Sequence, residues 1–424
     1  ADVDVGDSHS WSITGDSDAD GTHAGSYGSL SLIQSGVWSY ALDNASVQNL
    51  KAGETVTDSF TVSVDDGQGG TDTQQVDITV SGSNDAAVIG GATTGSVTED
   101  DDPDTDGFLE VSGVLTISDL DTGETSFTAT TLAGTYGSLT IDATGNWAYA
   151  ADNTQAIVQN LVAGATLTDT VTVSALDGTT QDVVITFTGT NDAPVLSGVT
   201  AGTVTEDTGL TDTGVLSVAD IDVGDSHTWT ITGDADADGT QAGSYGSFSL
   251  TQSGVWSYAL DNASVQSLKA GETVTDSFTV TVDDGNDGTD TQQVDVTVTG
   301  TNDAAIIAGV DTGAVTEDTD PDSDGLLEVS GVLAISDVDT GEDQFVADTQ
   351  AGTYGSLTID ATGNWDYAAD NTQAAIQNLA TGDTLTDTIS VSSVDGTATQ
   401  DVVITVTGVN EEVTPLLVGL AMIP

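Results

Sequence analysis

Four short acidic loops in this 424-residue sequence carry aspartates at alternate positions before a glycine, in the pattern Asp-x-Asp-x-Asp-Gly. Three carboxylates so spaced, with a glycine that lets the chain turn back, can surround one hard cation such as Ca²⁺, as the first half of an EF-hand loop does. A solvated acidic turn is the alternative. The predicted ligands are Asp16, Asp18 and Asp20; Asp102, Asp104 and Asp106, with Glu110 beyond them; Asp234, Asp236 and Asp238; and Asp320, Asp322 and Asp324, with Glu328 beyond them.

A repeat of 109 residues organises the chain around these loops. Each copy has a Tyr-Gly-Ser triplet, which begins at Tyr27, Tyr136, Tyr245 and Tyr354, and a tryptophan eleven residues later, at Trp38, Trp147, Trp256 and Trp365. Fixed spacing of this kind indicates a tandem array. We predict domains at 1–85, 86–192, 193–303 and 304–411 (repeats 1 to 4), and an apolar tail at 412–424. Repeat 1 lacks the segment equivalent to 202–218, so it is expected to be truncated at its start.

Alternation of apolar and polar residues predicts an all-β fold. Val183, Ile185 and Phe187 fall on one face of a strand, and Trp147 and Tyr149 fall on one face of a hairpin. Turn residues interrupt such runs about every ten positions, which is typical of β-sandwiches. A short helix is expected after each hairpin, with Asn153 as its N-cap in repeat 2.

A second set of acidic residues lies where the repeats join. If the first and last strands start and end at opposite poles, the opening acids of a repeat, its next acidic loop and the end of the preceding repeat meet there. Calcium ions are predicted at these junctions too. The residues are Asn84, Asp85, Glu99, Asp100, Asp119, Asp121 and Glu124; Asn191, Asp192, Glu206, Asp207, Asp220, Asp222 and Asp225; Asn302, Asp303, Glu317, Asp318, Asp337, Asp339 and Glu342; and Asp2, Asp4 and Asp7 at the start. Asp-Gly pairs at Asp66, Asp177, Asp284 and Asp395 are interpreted as hairpin turns.

The repeat resembles the VCBS repeat of very large bacterial surface proteins. The resemblance rests on the YGSL opening, the Gly-x-Trp-x-Tyr hairpin, the DN-x-x-x-x-VQ-x-L segment and the closing Gly-Thr-Asn-Asp, and it covers nearly the whole chain. It implies a tandem array of immunoglobulin-like or cadherin-like β-sandwich domains. It also implies calcium binding and a role as an extender module in secreted, calcium-dependent adhesins of the RTX type.

Composition excludes several classes of function. With 69 acidic and 2 basic residues, the net charge of −67 excludes nucleic acid and anionic membranes as partners and favours cations. No apolar run is long enough for membrane insertion. Without cysteine, and with only 3 histidines, the chain has few groups for catalysis or thiolate metal sites, so we predict that it is not an enzyme. The acids are mostly aspartates grouped in loops, which favours metal ligands, although a halophile's surface would give a similar charge.

These observations predict a calcium-rigidified structural extender region of a secreted bacterial surface adhesin. It would lie outside the cell, project distal binding domains and support adhesion or biofilm formation. Its partners would be calcium ions and neighbouring repeats of the same chain. One alternative is a subunit of an extracellular filament, in which the 412–424 tail of one chain adds a strand to repeat 1 of an identical chain. Another is a module that binds carbohydrate or a surface ligand.

Overall fold

A computed structural model describes residues 8–320 and 323–410 of the chain. Asp2, Asp4, Asp7, Asp322 and the 412–424 tail lie outside the described residues, and so do the predictions made for them. The chain divides into two compact units: Ala1–Ala193 with Asp220–Asp225, and Pro194–Ala219 with Ser226–Pro424. None of the described helices is long and apolar enough to cross a membrane.

Repeat 1, in the first unit, consists of two three-stranded sheets, ordered β1-β5-β6 and β2-β3-β4. Its elements are β1 (Ser10–Ile13), β2 (Thr22–Ala24), β3 (Gly28–Leu32), β4 (Trp38–Leu42), a 3-10 turn (Asn44–Ser46), β5 (Thr55–Asp65) and β6 (Thr71–Ser81). The buried core between the sheets is small and comprises Ile13, Leu30, Leu32, Phe60 and Val62.

Repeat 2, also in the first unit, packs a five-stranded sheet, β10-β11-β12-β9-β7, against a three-stranded sheet, β13-β14-β8. Its elements are β7 (Val88–Gly91), β8 (Thr94–Thr98), β9 (Phe108–Ser118), β10 (Thr130–Ala133), β11 (Gly137–Ile141), β12 (Asn146–Asp152), α1 (Ala156–Gln159), β13 (Thr166–Ser174) and β14 (Thr180–Thr188).

Repeats 3 and 4, in the second unit, are sandwiches of the same kind. Repeat 3 contains β15 (Val195–Gly198), β16 (Ala201–Thr205), β17 (Thr211–Ala219), β18 (Thr228–Ile231), β19 (Thr240–Ala242), β20 (Gly246–Leu250), β21 (Val255–Leu260), a 3-10 turn (Asn262–Ser264), β22 (Thr273–Asp283) and β23 (Thr289–Thr299). Repeat 4 contains β24 (Ile306–Gly309), β25 (Thr312–Thr316), β26 (Leu326–Ser336), β27 (Asp348–Ala351), β28 (Ser356–Ile359), β29 (Asn364–Asp370), α2 (Ala374–Gln377), β30 (Thr384–Ser392) and β31 (Thr399–Thr407). The predicted array of β-sandwiches is confirmed.

The second strand of each of repeats 2 to 4 runs parallel to the last strand of the same repeat. In repeat 2, β8 pairs with β14 in the register Val184↔Thr94 to Thr188↔Thr98, whereas β13 and β14 pair antiparallel. The pairs β16–β23 and β25–β31 are also parallel. Parallel strands end at the same edge of a sheet. The residues that follow the second strand of a repeat therefore lie beside those that follow its last strand.

The central hairpin buries its tryptophan and tyrosine in the core, as its alternation predicts. Trp147 is 2% exposed and Tyr149 is 1% exposed. The Tyr149 hydroxyl donates a hydrogen bond of 2.6 Å to Oδ2 of the buried Asp169, which also accepts from the backbone N–H groups of Thr135 and Tyr136. Burial alone would raise the pKa of Asp169, but these hydrogen bonds to the charged form bring it below its usual value. The charged Asp169 therefore holds the Tyr-Gly-Ser turn against β13.

The predicted helix after each hairpin is minor, and the cap assigned to it is wrong. It is four residues long in repeats 2 and 4 and a 3-10 turn in repeats 1 and 3. The N-cap of α1 is Gln155, which makes no side-chain capping bond. Nδ2 of Asn153 instead donates to Oδ1 of Asp100, which follows β8. The Asn153 side chain therefore makes a contact at the end of the repeat and does not cap the helix.

Candidate metal sites

The four acidic loops close in the same way, through hydrogen bonds from their own backbone. In repeat 2 the N–H of Gly107 donates to Oδ2 of Asp102 at 2.7 Å, and the N–H of Phe108 donates to Oδ1 of Asp106 at 2.9 Å. The fourth loop residue, Thr105, has a φ of 59°. The other three loops repeat these contacts at Gly21 and Thr22, Gly239 and Thr240, and Gly325 and Leu326.

Closing a loop in this way turns its carboxylates toward one point. One oxygen from each of Asp102, Asp104 and Asp106 lies within 4.8 Å of the others, and the equivalent trios at 16–20 and 234–238 do the same. The Oδ1 atom of Asp102 is buried and accepts no hydrogen bond from the described residues, and the same holds for Oδ1 of Asp16 and of Asp234. A buried carboxylate oxygen without a donor is costly unless a cation satisfies it, so the geometry fits a hard cation.

The two glutamates predicted to complete these loops lie on strands. Glu110 is an exposed residue of β9, and the trio that the described structure brings within 4.8 Å does not include it. Glu328 is likewise an exposed residue of β26. Their assignment as ligands remains a prediction.

A second kind of site lies at the end of repeat 2, within the first unit. Glu99, which follows β8, is 1% exposed, and its Oε2 accepts from the N–H of Thr190 at 3.2 Å. Asp192 donates its N–H to Oδ2 of the buried Asp222 at 2.9 Å. Burial, together with the charges of Asp192, Asp100 and Asp222, raises the pKa of Glu99 to about 7. We call Glu99, Asp100, Asp192 and Asp222 the Glu99 cluster.

The second unit repeats this arrangement at the end of repeat 3. Glu206 is fully buried, and its Oε2 accepts from the N–H of Thr301 at 3.0 Å. Asp303 donates its N–H to Oδ2 of Asp339 at 2.9 Å. Burial and neighbouring carboxylates raise the pKa of both Glu206 and Asp303. We call Glu206, Asp207, Asp303 and Asp339 the Glu206 cluster. At the end of repeat 4, Glu317 is similarly placed against Val409.

These clusters contain buried oxygens that no described residue satisfies. In the Glu206 cluster they are Oδ2 of Asp303 and Oδ1 of Asp339, and Oδ2 of Asp192 is the same in the Glu99 cluster. Two carboxylates about 4 Å apart repel by roughly 4 kcal/mol at an effective dielectric of 20. A divalent cation relieves both the repulsion and the missing hydrogen bonds, so the clusters fit a divalent metal.

Two loops of repeat 4, one after β26 and one between β30 and β31, add a third carboxylate group beside the Glu206 cluster, which we call the Asp337 group. Asp337, Glu342 and Asp395 bring one oxygen each within 4.8 Å of the others. Oδ2 of Asp337, Oε2 of Glu342 and Oδ1 of Asp395 are buried and lack a hydrogen-bond partner in the described part of the chain. Nζ of Lys269, in repeat 3, lies 3.8 Å from Oε1 of Glu342.

Repeat 2 has the equivalent group, Asp119, Asp121 and Glu124, where it meets repeat 1, and we call it the Asp119 group. The N–H of Asp85 donates to Oδ2 of Asp121 at 2.8 Å, and the N–H of Asp121 donates to Oδ1 of Asp119 at 2.9 Å. Burial, followed by the charges of Asp121 and Asp119, raises the pKa of Glu124, while Lys51 of repeat 1 lowers it. Lys51 and Lys269 are the only basic residues of the chain apart from histidine.

The predicted grouping of the junction residues is therefore wrong in one respect. The sequence predicts that Glu99 and Asp100 meet Asp119 and Asp121, but they lie at the opposite end of repeat 2, with Asp192. The same correction applies to repeats 3 and 4. Glu206 and Asp207 lie with Asp303 at the end of repeat 3. Glu317 and Asp318 belong to the end of repeat 4, where Glu317 contacts Val409. The reason is the parallel pairing of β8 with β14, which carries the opening acids to the far end of their own repeat.

Asparagine and glutamine side chains hold the opening acids in place. Nε2 of Gln266 donates to Oε1 of Glu206 at 2.8 Å and to Oδ1 of Asp207 at 3.2 Å. Asn262 donates to Oδ1 of Asp207 at 2.6 Å and accepts from its N–H at 2.9 Å. Asp207 has a φ of 61°, a conformation that needs such support. Asn153 and Gln159 do the same for Asp100 in repeat 2.

Sequence reasoning missed Asp177 and Asp395, which it interpreted as turn residues. Asp395 belongs to the Asp337 group, and Oδ2 of Asp177 accepts from the N–H of Ala87 at 3.0 Å, beside the Asp119 group. The only signal in the sequence is recurrence of Asp-Gly at one position in each repeat. An Asp-Gly pair is common in hairpin turns, so recurrence alone does not distinguish the two roles.

Comparison with known structures finds cadherin domains of low sequence identity. Protocadherin Gamma B2 extracellular cadherin domains 3-6 is 14% identical, with 95% of this chain and 93% of that chain covered and a TM-score of 0.42. Drosophila N-cadherin EC1-4 is also 14% identical, with 96% and 93% covered and a TM-score of 0.33. At these TM-scores the likenesses carry no argument about function.

Comparison with family profiles is decisive. Residues 1–82, 84–189, 191–300 and 302–408 each match the family described as "Bacterial cadherin-like domain". No curated protein matches the chain. Because the four matches cover nearly all of the sequence, the chain belongs to the bacterial cadherin-like domain family.

Proposed function

We propose that the chain is a calcium-rigidified extender region of a secreted bacterial surface adhesin, acting outside the cell to project distal binding domains in adhesion or biofilm formation. The observation that carries this proposal is the set of buried carboxylate oxygens without donors at the ends of the repeats, above all in the Glu206 cluster and the Asp337 group. The family match and the resemblance to VCBS repeats support it. Cadherin-like domains are typically structural modules without enzymatic activity.

The donor set favours calcium among the common cations. Every candidate ligand is a carboxylate or amide oxygen, and Ca²⁺ accepts six to eight oxygens in flexible geometry, whereas Mg²⁺ requires a tight octahedron. In the second unit the residues that would hold calcium are Glu206, Asp303, Asp337, Asp339, Glu342 and Asp395. When bound, calcium would supply the positive charge that lets these groups stay close together.

The extender role follows from where those ligands lie in the sequence. Glu206 and Asp303 belong to repeat 3 or its last residues, whereas Asp339 belongs to repeat 4. A cation that both sides ligate ties the two repeats together, so removing it would let the acidic surfaces separate. Calcium would therefore control the stiffness of the connection.

Thermal denaturation of the full chain tests this proposal. We expect chelation to lower the melting temperature sharply, with a calcium midpoint of about 10⁻⁴ to 10⁻³ M, the range of extracellular sites. Asp339→Asn should raise that midpoint, while Asp366→Asn, which removes a charge from an exposed position of β29 in the same repeat, should not. A melting curve unchanged by excess chelator would contradict the proposal.

The alternative of direct carbohydrate binding has less support, because the tryptophans and tyrosines of the hairpins in repeats 2 to 4 are buried. The filament alternative rests on repeat 1 and on the tail, which lies outside the described residues.

A further inference from the structure

The two lysines of the chain occupy equivalent positions, and so do two glutamates that lie near them. Lys51 and Lys269 are 218 residues apart, and Glu124 and Glu342 are also 218 residues apart. Each lysine belongs to an odd-numbered repeat, and each glutamate belongs to the repeat that follows it. Because the chain has 69 acidic residues beside which two lysines could lie, their shared position indicates a shared role.

The backbone that carries each lysine is fixed within its own repeat. Leu268, directly before Lys269, is 8% exposed and belongs to the core of repeat 3. The N–H of Glu272 donates to the carbonyl of Lys269 at 2.9 Å and closes a turn. In repeat 1 the N–H of Glu54 donates to the carbonyl of Lys51, also at 2.9 Å. Each lysine side chain therefore extends from a turn that the sandwich holds in place.

The same turn receives the acidic loop of the next repeat. In the second unit, the N–H of Thr340 donates to the carbonyl of Ser267 at 3.2 Å, two residues before Lys269. In the first unit, the N–H of Thr122 donates to the carbonyl of Asn49 at 3.1 Å, also two residues before the lysine. These bonds join repeat 4 to repeat 3 and repeat 2 to repeat 1. The lysine charge is thereby placed where two acidic repeats meet.

Glu342 connects the lysine to the Asp337 group. Its Oε1 lies 3.8 Å from Nζ of Lys269, while its Oε2 is buried and lacks a hydrogen-bond partner in the described part of the chain. The side chain of Glu342 is 16% exposed and that of Lys269 is 43% exposed. Solvent therefore weakens the pair, but the ammonium group still offsets part of the repulsion among the neighbouring carboxylates.

The sequence changes both partners together at the other copies of these positions. Val162 in repeat 2 and Ala380 in repeat 4 stand where repeats 1 and 3 have lysine. Asp225 in repeat 3 stands where repeats 2 and 4 have glutamate. Lysine and glutamate therefore occur as a pair, in agreement with a joint role.

We propose that Lys51 and Lys269 are counter-charges for the Asp119 group and the Asp337 group, which keep these two junctions closed when calcium is scarce and weaken their affinity for calcium. An ammonium group among carboxylates supplies part of the charge that a metal would supply, and it repels a divalent cation that enters. The second effect rests on the calcium sites proposed above, whereas the first does not. Such a junction could release calcium without coming apart.

Hydrogen-exchange mass spectrometry of the full chain, with Lys269→Met and Lys269→Arg, tests the first effect. In chelator, Lys269→Met should speed exchange at 339–343 roughly threefold, as expected for loss of a partly exposed ion pair, whereas Lys269→Arg should not. Exchange at 121–125, where Lys51 is intact, is the internal control. The difference between Lys269→Met and the wild type should disappear in about 1 M potassium chloride, which screens charges. A difference that persists in salt, or no difference in chelator, would overturn the proposal.

Calcium titration of the same exchange tests the second effect and separates it from the proposed function. The calcium midpoint at 339–343 should be roughly twofold to threefold lower in Lys269→Met than in the wild type, because the ion no longer meets an ammonium group. A higher midpoint would show that the lysine positions Glu342 for the metal, and it would overturn the proposal. If calcium changes exchange in neither protein, the calcium sites and the second effect are wrong, while faster exchange of Lys269→Met in chelator would still support the first effect.

Discussion

The acidic loops and the clusters at repeat ends contain the same chemical groups in opposite surroundings. In the loop at 102–106, hydrogen bonds led by the N–H of Gly107 lower the pKa of Asp102, whereas the hydrogen bond to Asp102 and the charge of Asp106 raise the pKa of Asp104. At the end of the same repeat, burial raises the pKa of Glu99 to about 7. The difference shows that the backbone of a loop already stabilises part of its negative charge, whereas the cluster carboxylates depend more on a proton or a cation.

The largest expected effect comes from removing ligands where two repeats meet, in the Asp119 group, rather than in an acidic loop. In repeat 2, Asp119→Asn with Asp121→Asn should raise the calcium midpoint for thermal stabilisation at least tenfold, since even loss of groups supporting a metal ligand typically costs 10- to 100-fold in affinity. The matched pair Asp102→Asn with Asp104→Asn should change it about threefold or less. Calcium titration monitored by melting temperature measures both. Equal effects would remove the distinction between the two kinds of site.

A pH-dependent effect should follow from the raised pKa of Glu99. A carboxyl group whose folded pKa lies above its unfolded value destabilises the fold as pH rises from about 4.5 to about 7. Calcium needs the ionised form, so binding near pH 6 should release protons. Calorimetry in buffers of different ionisation enthalpy measures this release.

Two substitutions separate the protons released by Glu99 from those released by other groups. Glu99→Gln should reduce proton release at pH 6, and Asp182→Asn, at an exposed position of β14 in the same repeat, should leave it unchanged. Undiminished release in Glu99→Gln would show that this group is ionised before calcium binds.

A smaller effect is expected from the side chains that position the cluster acids. Gln266→Leu should weaken calcium binding at the Glu206 cluster about tenfold by freeing Glu206 and Asp207. Gln48→Leu is the matched control, since the described part of repeat 1 offers Gln48 no equivalent glutamate. Hydrogen exchange at 301–303 as a function of calcium measures the change. If Gln266 had a merely structural role, Gln266→Leu would speed exchange at saturating calcium as much as at low calcium.

The smallest effect is expected within a single loop. Asp236→Asn should alter exchange only around 234–240, because stability in a repeat array is a sum of local and nearest-neighbour terms. Exchange in the equivalent loop at 16–22 should not change. A uniform change across all four repeats would contradict the local character of the loop sites.

Much of this architecture could be predicted from the sequence because it depends on short-range patterns. The alternation that places Trp147 and Tyr149 on one face, and the spacing of Asp102, Asp104 and Asp106, are properties of neighbouring residues. In the structure Trp147 and Tyr149 are both buried, and the carboxylates of Asp102, Asp104 and Asp106 lie close together.

The remaining features depend on contacts between distant segments. Glu99 was placed at the wrong end of its repeat because no local pattern shows that β8 runs parallel to β14, about 90 residues away. Asn153 satisfies a helix-cap pattern, yet its partner is Asp100, 53 residues earlier. Asp395 has the same local sequence as an ordinary turn, and only the pairing of strands brings it to Asp337 and Glu342.

The central claim is that calcium holds together the carboxylates at the ends of the repeats. Hydrogen-exchange mass spectrometry of the full chain, in calcium and then in chelator, measures this directly at each position. We expect chelation to speed exchange first and most at 190–192, 206–208 and 301–303, and least in the strands of the sandwich cores. Identical exchange at those positions with and without calcium would contradict the account.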